Sequence, residues 1–457
     1  MMENGDLREI IENIRFFITE HNEINLKNML VDTHPADIAD IIVNLEEEES
    51  EYIFSLLPAE QASEVLAYLP DYSRAQIIEE LEDERLAELV DEMDSDDATD
   101  LVSELPEEKA QKVLEVIDFQ DSREVKELLR HEEDTAGGIM AMELIGVNEN
   151  STVDEAIEQV RKRAEEVEEV YYIFVVNDQQ KLVGIVSIKK LILSSGKTRI
   201  SAIMERDVIS VTTDMDQEEV ARIVKKYDLV AVPVVDEQGR LVGRITVDDV
   251  MDVVDDEASE DIHRLAGITE EVEIHETSTL KISRVRLPWL LFAFFGEIGS
   301  AAVMSYFEAS LKQILTAAFF IPIIMAMGGN AGIQSSTIMV RGLALGDIGL
   351  LHAKKQIFKE FKVSIINGLI CGLLLFLIIG LLFSKLEHPF RFSAVIGIAM
   401  FFIIINATIV GAIIPLFLKR INVDPAIATG PFITTSNDII GLLIYLGLAS
   451  IYLVYFA

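Results

Sequence analysis

The stretch NVDPAIATGPFITTSNDIIGLLIY, residues 422–445, leads into a hydrophobic segment, and that segment carries one full charge, Asp438. An ionised carboxylate is costly inside a bilayer, and acids found there mark functional positions. Residues 439–456 are too few for a comfortable span, so the helix must begin before Asp438 and carry it a third to half of the way in. Just upstream, Gly430 and Pro431 weaken regular helix, and Thr434, Thr435, Ser436 and Asn437 add side-chain oxygens within about a turn. Broken helix with free carbonyls is tolerated at membrane depth where it lines a cavity or is buried in protein. An all-oxygen set without His or Cys suits a hard cation, Mg²⁺ or Ca²⁺, better than zinc or copper. Asp438, Thr434, Gly430 and Asn437 are the candidate ligands; the competing reading is a helix-end Asp that snorkels to the interface.

A second constellation, FFIPIIMAMGGNAGIQSSTIMVRGLALGDI at 319–348, combines helix-weakening Pro322, Gly328, Gly329 and Gly332 with oxygens on Asn330, Gln334, Ser335, Ser336 and Thr337. A Gly-Gly-Asn-Ala-Gly turn lets backbone approach an ion or lets another helix pack closely. Gly328, Gly329, Asn330 and Gln334 are therefore pore-lining candidates. Glu297, in the first hydrophobic segment, is either a further pore acid or an acid neutralised by a neighbour.

The elements that must position these residues follow from charge and periodicity. The 457-residue chain has a net charge of −40, yet half its residues are hydrophobic. Residues 281–457 carry 7 acids and 13 bases, whereas residues 1–280 carry 71 acids and 25 bases, a net of −46. One part is a membrane domain and the other a strongly acidic soluble part, which repels nucleic acid and itself unless cations neutralise it. The first 20 residues are polar and amphipathic, with no signal-peptide pattern, and the single cysteine, Cys371, excludes a disulfide framework.

Five hydrophobic segments, at about 287–307, 313–340, 362–384, 392–418 and 428–455, are each long enough to span. Arg341, Lys354, Lys355, Lys359, Lys362, Lys419 and Arg420 flank them on one side, against Lys312, Lys385 and Arg391 on the other. This bias places the 341–362 and 419–420 loops in the cytosol, the soluble domains with them and the C-terminus outside, in a multi-pass cell-membrane protein.

In the soluble part, Leu45, Leu57, Leu69, Leu81, Met93, Leu105 and Ile117 recur every 12 residues, each followed by Pro, Asp or Glu. Apolar pairs from Ile53–Phe54 to Val113–Leu114 keep the same period. Pro or an acid favours the first turn of a helix, so the unit is a short helix plus a turn, stacked as an α-solenoid. A longer polar helix follows at about 119–133. A second repeat, at an offset of 59, pairs VYYIFVVNDQQKLVGIVSIKKL (170–191) with LVAVPVVDEQGRLVGRITVDDV (229–250). Each copy reads as strand, turn, strand and helix start, with a helix upstream.

This second repeat resembles a tandem pair of CBS domains, whose nucleotide motif is Gly-h-h-Thr/Ser-x-x-Asp, where h is apolar. Gly243, Thr246 and Asp249 match it, which makes Thr246 and Asp249 candidate contacts for an adenosine nucleotide. The first copy has Lys190 in place of the Asp, and Lys accepts no hydrogen bond. A pair that only dimerises and changes shape needs neither motif. The following stretch, VDDVMDVVDDEASEDIHRL at 247–265, reads as an acidic amphipathic helix with Val247, Val250, Val254, Ile262 and Leu265 as its apolar stripe. Like charges at i,i+4 destabilise a helix, so it needs cations or a basic partner.

The chain as a whole resembles the MgtE family of Mg²⁺ channels and transporters, through PWL at 288–290, GGNAGIQSSTIMVRGLALGDI at 328–348, NATIVGAIIPLFLK at 406–419 and DPAIATGPFITTSNDIIGLLIY at 424–445. The resemblance implies a multi-domain protein: an acidic α-solenoid N-domain (1–133), an α/β tandem CBS pair (134–252), an acidic connecting helix with a linker (253–282), and an all-α five-span pore domain (283–457). It further implies a homodimer in the lipid bilayer with its pore on the twofold axis, Mg²⁺ as the ion moved into the cytosol, and Asp438 as the pore acid. Cytosolic Mg²⁺-sensing acids fall at Asp228, Asp249, Asp252, Asp256, Glu257 and Glu260, with counterparts at Asp97 and Asp100. The alternatives are a broader divalent importer (Co²⁺, Ni²⁺, Mn²⁺ or Ca²⁺) and a non-transporting divalent sensor. An intramembrane aspartyl protease lacks its second Asp, a lone pore acid opposes an anion channel, and no His or Glu proton relay favours a coupled carrier over a channel.

Overall fold

The computed structural model describes the chain except residues 1–3, 164–166, 168–169, 266–267, 269–277, 314, 345–347, 349–352, 383–388, 422, 429 and 457, so most of the expected 266–282 linker lies outside the described residues. It divides into two compact units, Met1–Asp256 and Glu257–Ala457.

The first unit opens with helices α1 (Asn4–Thr19), α2 (Glu23–Val31), α3 (Pro35–Val43), α4 (Glu47–Ser55), α5 (Ala59–Tyr68), α6 (Asp71–Glu80), α7 (Asp83–Asp91), α8 (Ser95–Ser103), α9 (Glu107–Val116) and α10 (Phe119–Leu128). From α4 onward each starts 12 residues after the last. The apolar pairs make the spine: Ile53, Phe54, Val65, Leu66, Ile77, Ile78, Leu89, Val90, Leu101, Val102 and Val113 are all buried in one core. Pro58, Pro70, Glu82, Asp94, Pro106 and Asp118 occupy N-cap positions, one residue before the expected first turn. An N-cap needs extended backbone, which proline's fixed φ allows, while its carbonyl still accepts the first helical hydrogen bond. The expected 119–133 helix ends at Leu128.

The CBS pair holds β1 (Gly146–Asn148), α11 (Val153–Arg163), β2 (Tyr172–Val176), β3 (Leu182–Ser187), α12 (Ile188–Leu193) and α13 (Ile200–Ile203), then β4 (Val211–Thr212), α14 (Gln217–Tyr227), β5 (Ala231–Val235) and β6 (Leu241–Thr246). Each copy is a three-stranded sheet with a parallel first pair and an antiparallel hairpin. The short strands β1 and β4 were not legible as strands. The hairpin turns meet: Leu182 N–H donates to Gly239 O and Leu241 N–H to Gln180 O, each at 3.1 Å. Gln180 and Gly239 hold positive φ at equivalent turn positions, a strain that only the glycine avoids. Helix α15 (Val247–Leu265) follows β6 without a break and runs across the division between the units. Its buried stripe is Val250 and Val253, whereas Val254 and Ile262 are exposed. At about 100° per residue, Val253 and Val254 lie on opposite sides of Val250, roughly 60° and 40° away, and it is the Val253 side that packs inward.

The second unit contains α16 (Thr279–Tyr306), α17 (Glu308–Gln313), α18 (Leu315–Ala318), α19 (Ile321–Ala344), α20 (Ala353–Leu382), α21 (Pro389–Arg420), a 3₁₀ turn at Pro425–Ala428, and α22 (Pro431–Phe456). Among the described residues, five spans, with α18 and α19 together counting as one, are long and apolar enough to cross a membrane. The Gly-Gly-Asn-Ala-Gly segment is not a turn but the interior of α19. Its glycines serve packing: a Cβ on Gly411 of α21 would enter the Gly332 carbonyl of α19. Gly372 of α20 and Gly397 of α21 abut in the same way, each leaving only 2.6 Å between an added Cβ and the other's carbonyl oxygen. Small residues let helix backbones approach where no hydrophobic drive exists between them. The expected 341–362 loop is shorter too, since α20 begins at Ala353.

Candidate functional site

Helix α22 begins at Pro431, after the 3₁₀ turn, so Asp438 lies about a third of the way along it. Pro at the first helical position costs no hydrogen bond and fixes where the helix starts. Thr434 bends its hydroxyl back on that first turn, with Oγ1 3.1 Å from Pro431 O and 3.3 Å from Gly430 O. Asp438 is partly exposed, and its carboxyl is hydrogen-bonded to that of Glu297 on α16. The contact requires α16 and α22 to approach closely. Gly296 supplies the gap, because a side chain there would collide with Thr435. Glu297 is exposed among Phe294, Phe295 and Ile298, so the two acids sit together at the surface of the membrane unit.

The other candidate ligands separate from this pair. Asn437 is 1% exposed and points at α19, where a Cβ on Gly328 would lie 2.5 Å from its Nδ2. Neither polar atom of that amide has a hydrogen-bond partner among the described residues. Asn330 and Gln334 face outward and, with Asn367 and Cys371 of α20, line a cavity of about 140 Å³. Gly328 and Gly329 are buried in helix packing. Glu360 was missed by sequence reasoning, which left it in a loop. It is buried in α20 and accepts hydrogen bonds from Ser335 Oγ at 3.1 Å and Gln356 Nε2 at 3.3 Å. Its signal was a single acid among four lysines at the start of a helix that is otherwise apolar.

In the first unit the structure gathers acids from two domains. Asp96, Asp97 and Asp100 on α8 all feel Asp249 at the start of α15. Loss of solvation, then Asp249 and neighbouring acids, pushes Asp96 well above the usual carboxylate range and Asp97 up to about 7. Asp100 rises to about 6, by loss of solvation, with Arg74 opposing. Asp252 rises through loss of solvation and then Asp249. Asp249 Oδ2 accepts from Thr246 N–H at 2.8 Å and Thr246 Oγ1 at 2.7 Å, which caps α15. Asp228 stands apart as the left-handed C-cap of α14, and Asp256 is exposed further along α15. Glu257 and Glu260 fall in the second unit. Among the described residues, no group of three or more His, Cys, Asp or Glu side chains is placed to hold a metal ion.

Residues 321–448 match the family model described as MgtE, divalent cation transporter; 33–134 match the MgtE intracellular N domain, and 136–196 and 200–256 match the CBS domain. Magnesium transporter MgtE of Thermus thermophilus is 39% identical over 72% of this chain and 72% of its own. The chain belongs to the MgtE family. The magnesium transporters MgtE of Enterococcus faecalis and Bacillus subtilis are 38% and 37% identical over 73% and 72% of this chain, and 72% of each of theirs. Among solved structures, the cytosolic domain of the Mg²⁺ channel MgtE in complex with ATP matches 53% of this chain and 99% of that chain, at 38% identity and a TM-score of 0.51. The soluble part of a magnesium transporter matches 55% and 99%, at 30% identity and a TM-score of 0.51. MgtE is a family of membrane transporters, and magnesium transport is the function this membership carries.

Proposed function

We propose that the chain is a Mg²⁺ pore that admits the ion to the cytosol through Asp438 and Glu297 and closes when cytosolic Mg²⁺ fills the acidic cluster. The observation that carries the reading is the Asp438–Glu297 carboxyl pair, two acids from different spans brought into contact at the surface of the membrane unit. Mg²⁺ dehydrates reluctantly. Two carboxylates hold it through its water shell, with Thr434 and the carbonyls near Gly430 assisting. The acids lie at the unit's surface rather than in its centre, and five spans are few to enclose a pore alone; a homodimer places a second pair across the axis. The basic flanks orient the soluble domains to the cytosol and the C-terminus outward.

Regulation rests on Asp96, Asp97, Asp100 and Asp249. Crowded acids oppose compaction, and a divalent ion with higher affinity for the compact arrangement shifts the equilibrium towards it. An adenosine nucleotide at the CBS pair is a second input, motivated by the ATP complex of the related cytosolic domain. Here Thr246 binds Asp249, so a ribose must share that acid with the helix cap and the metal cluster.

The test is Mg²⁺ entry into liposomes holding the full chain, with Asp438→Asn and Glu297→Gln as variants. Flux is expected to vanish in the first and to fall in the second. Unchanged flux in Asp438→Asn moves the pore acid elsewhere, and equal entry of Co²⁺ or Ni²⁺ supports the broader divalent importer.

A further inference from the structure

Helix α15 carries eight acids between Asp248 and Asp261 and a single arginine, Arg264, in its last turn. The part of the helix from Glu257 onward belongs to the second unit. There the Arg264 guanidinium is shared: Nη2 pairs with Glu260, one turn earlier, and Nη1 pairs with Asp424, 160 residues away in sequence. Arg264 and Asp424 keep 27% and 28% of their side-chain surface, so the contact is largely withdrawn from solvent.

Asp424 is engaged on both oxygens. Oδ2 receives Arg264, and Oδ1 accepts the Ala426 N–H at 2.8 Å, which caps the 3₁₀ turn Pro425–Ala428. That turn is buried at Pro425 and Ala426 and packs against α19, α21 and α22. Three residues after it α22 begins at Pro431, and Asp438 follows seven residues on, about 10 Å along the helix. A continuous set of contacts thus runs from the end of the acidic helix to the start of the helix that bears the pore acid.

Charge explains why an arginine is needed. Glu257, Glu260 and Asp261 would approach Asp424 with the same sign, so the acidic helix and this turn repel unless a cation stands between them. Arg264 is that cation, covalently attached and independent of the ion concentration. We propose that the Glu260–Arg264–Asp424 ion pairs form a latch that ties the connecting helix to the entry of α22, so that neutralising the acids upstream closes the pore. The proposal rests on the reading of the chain as a Mg²⁺ pore inhibited from the cytosol. Arg264 and Asp424 act as positioning residues and do not bind the transported ion.

The experiment uses the full chain in liposomes, with flux measured against cytosolic Mg²⁺. Arg264→Gln is expected to keep flux at low cytosolic Mg²⁺ and to need about tenfold more of it for half-closure, within the usual range of coupling between sites. Asp424→Asn breaks the same pair from the other side and is read in the same way if Arg264→Gln fails to insert. The exchange Arg264→Asp with Asp424→Arg is expected to restore inhibition towards the wild-type concentration, an outcome that loss of packing alone does not give. Independently, hydrogen exchange at the Ala426 amide should quicken in Arg264→Gln. Wild-type flux that closes at the same Mg²⁺ concentration in every variant, or an unchanged Ala426 amide, overturns the latch. A wild type without Mg²⁺ flux sinks the pore reading instead, while a quickened Ala426 amide still supports the contact.

Discussion

Asp97→Asn tests whether the acids of α8 and α15 resist compaction until a cation arrives. The Asp97 carboxyl is pushed up to about 7 from an ordinary 3.8, by loss of solvation and then by Asp249, Asp100 and Asp94. In a dry site such a displacement weighs ~4 kcal/mol against the ionised folded state. Solvent reaches Asp97, so screening reduces this to ~1 kcal/mol. For a unit of this size, ~1 kcal/mol moves Tm by about 2–4 °C. In EDTA at neutral pH, Asp97→Asn is therefore expected to raise the Tm of the 1–256 unit by that amount and to shrink the further rise that Mg²⁺ produces.

The sign with pH follows from linkage. A raised carboxyl pKa means that the folded state keeps a proton the unfolded state has released. The stability held by protonated Asp97 is complete below the unfolded value and is lost as pH rises towards about 7. The advantage of Asp97→Asn over wild type should thus be small in mild acid, grow towards neutrality and level off above it. Thermal melts across that window, with EDTA or Mg²⁺, give the answer. A variant less stable than wild type at neutral pH in EDTA, or a difference that shrinks as pH rises, refutes the reasoning.

Ser95→Ala should destabilise the same unit by ~1–3 kcal/mol in urea unfolding, because buried Ser95 Oγ donates to Glu143 Oε2 at 2.7 Å and accepts the Met142 N–H at 2.8 Å. In the membrane unit, Gly411→Val drives a side chain into the Gly332 carbonyl and should cost ~1–3 kcal/mol or more, read as a lower Tm in detergent. Gly447→Val is its control, since nothing lies within 4 Å of a Cβ there. Equal melting of the two glycine variants would count against the close contact between α19 and α21.

Periodic features were legible because each is imposed locally. The 12-residue spacing of the apolar pairs reports one helix per unit, since a pair such as Leu89–Val90 has no other way to reach the common core. The 59-residue offset reports two copies of one hairpin because both turns need the same backbone. The five spans are legible because a bilayer demands length and hydropathy from each helix separately. The start of α22 before Asp438 was legible too, from Pro431 and the shortage of residues after it.

Misreadings arose where local chemistry permits two outcomes. Glycines in a row suit both a turn and a tight helix crossing, and only the presence of Gly411 against Gly332 decides for the crossing. Candidate ligands read from one stretch of chain point in different directions once wound on a helix, so Asn437 turns to Gly328 while Asp438 turns to Glu297.

The sequence by itself determined the order of domains, the division of charge between them, the number of spans and the family, because all of these are written in neighbouring residues and their spacing. The tertiary structure alone decided which acids meet. The Asp97–Asp249 repulsion and the Glu297–Asp438 and Arg264–Asp424 contacts each join residues 141 or more positions apart, and Coulomb energy depends on distance in space, which no local pattern encodes.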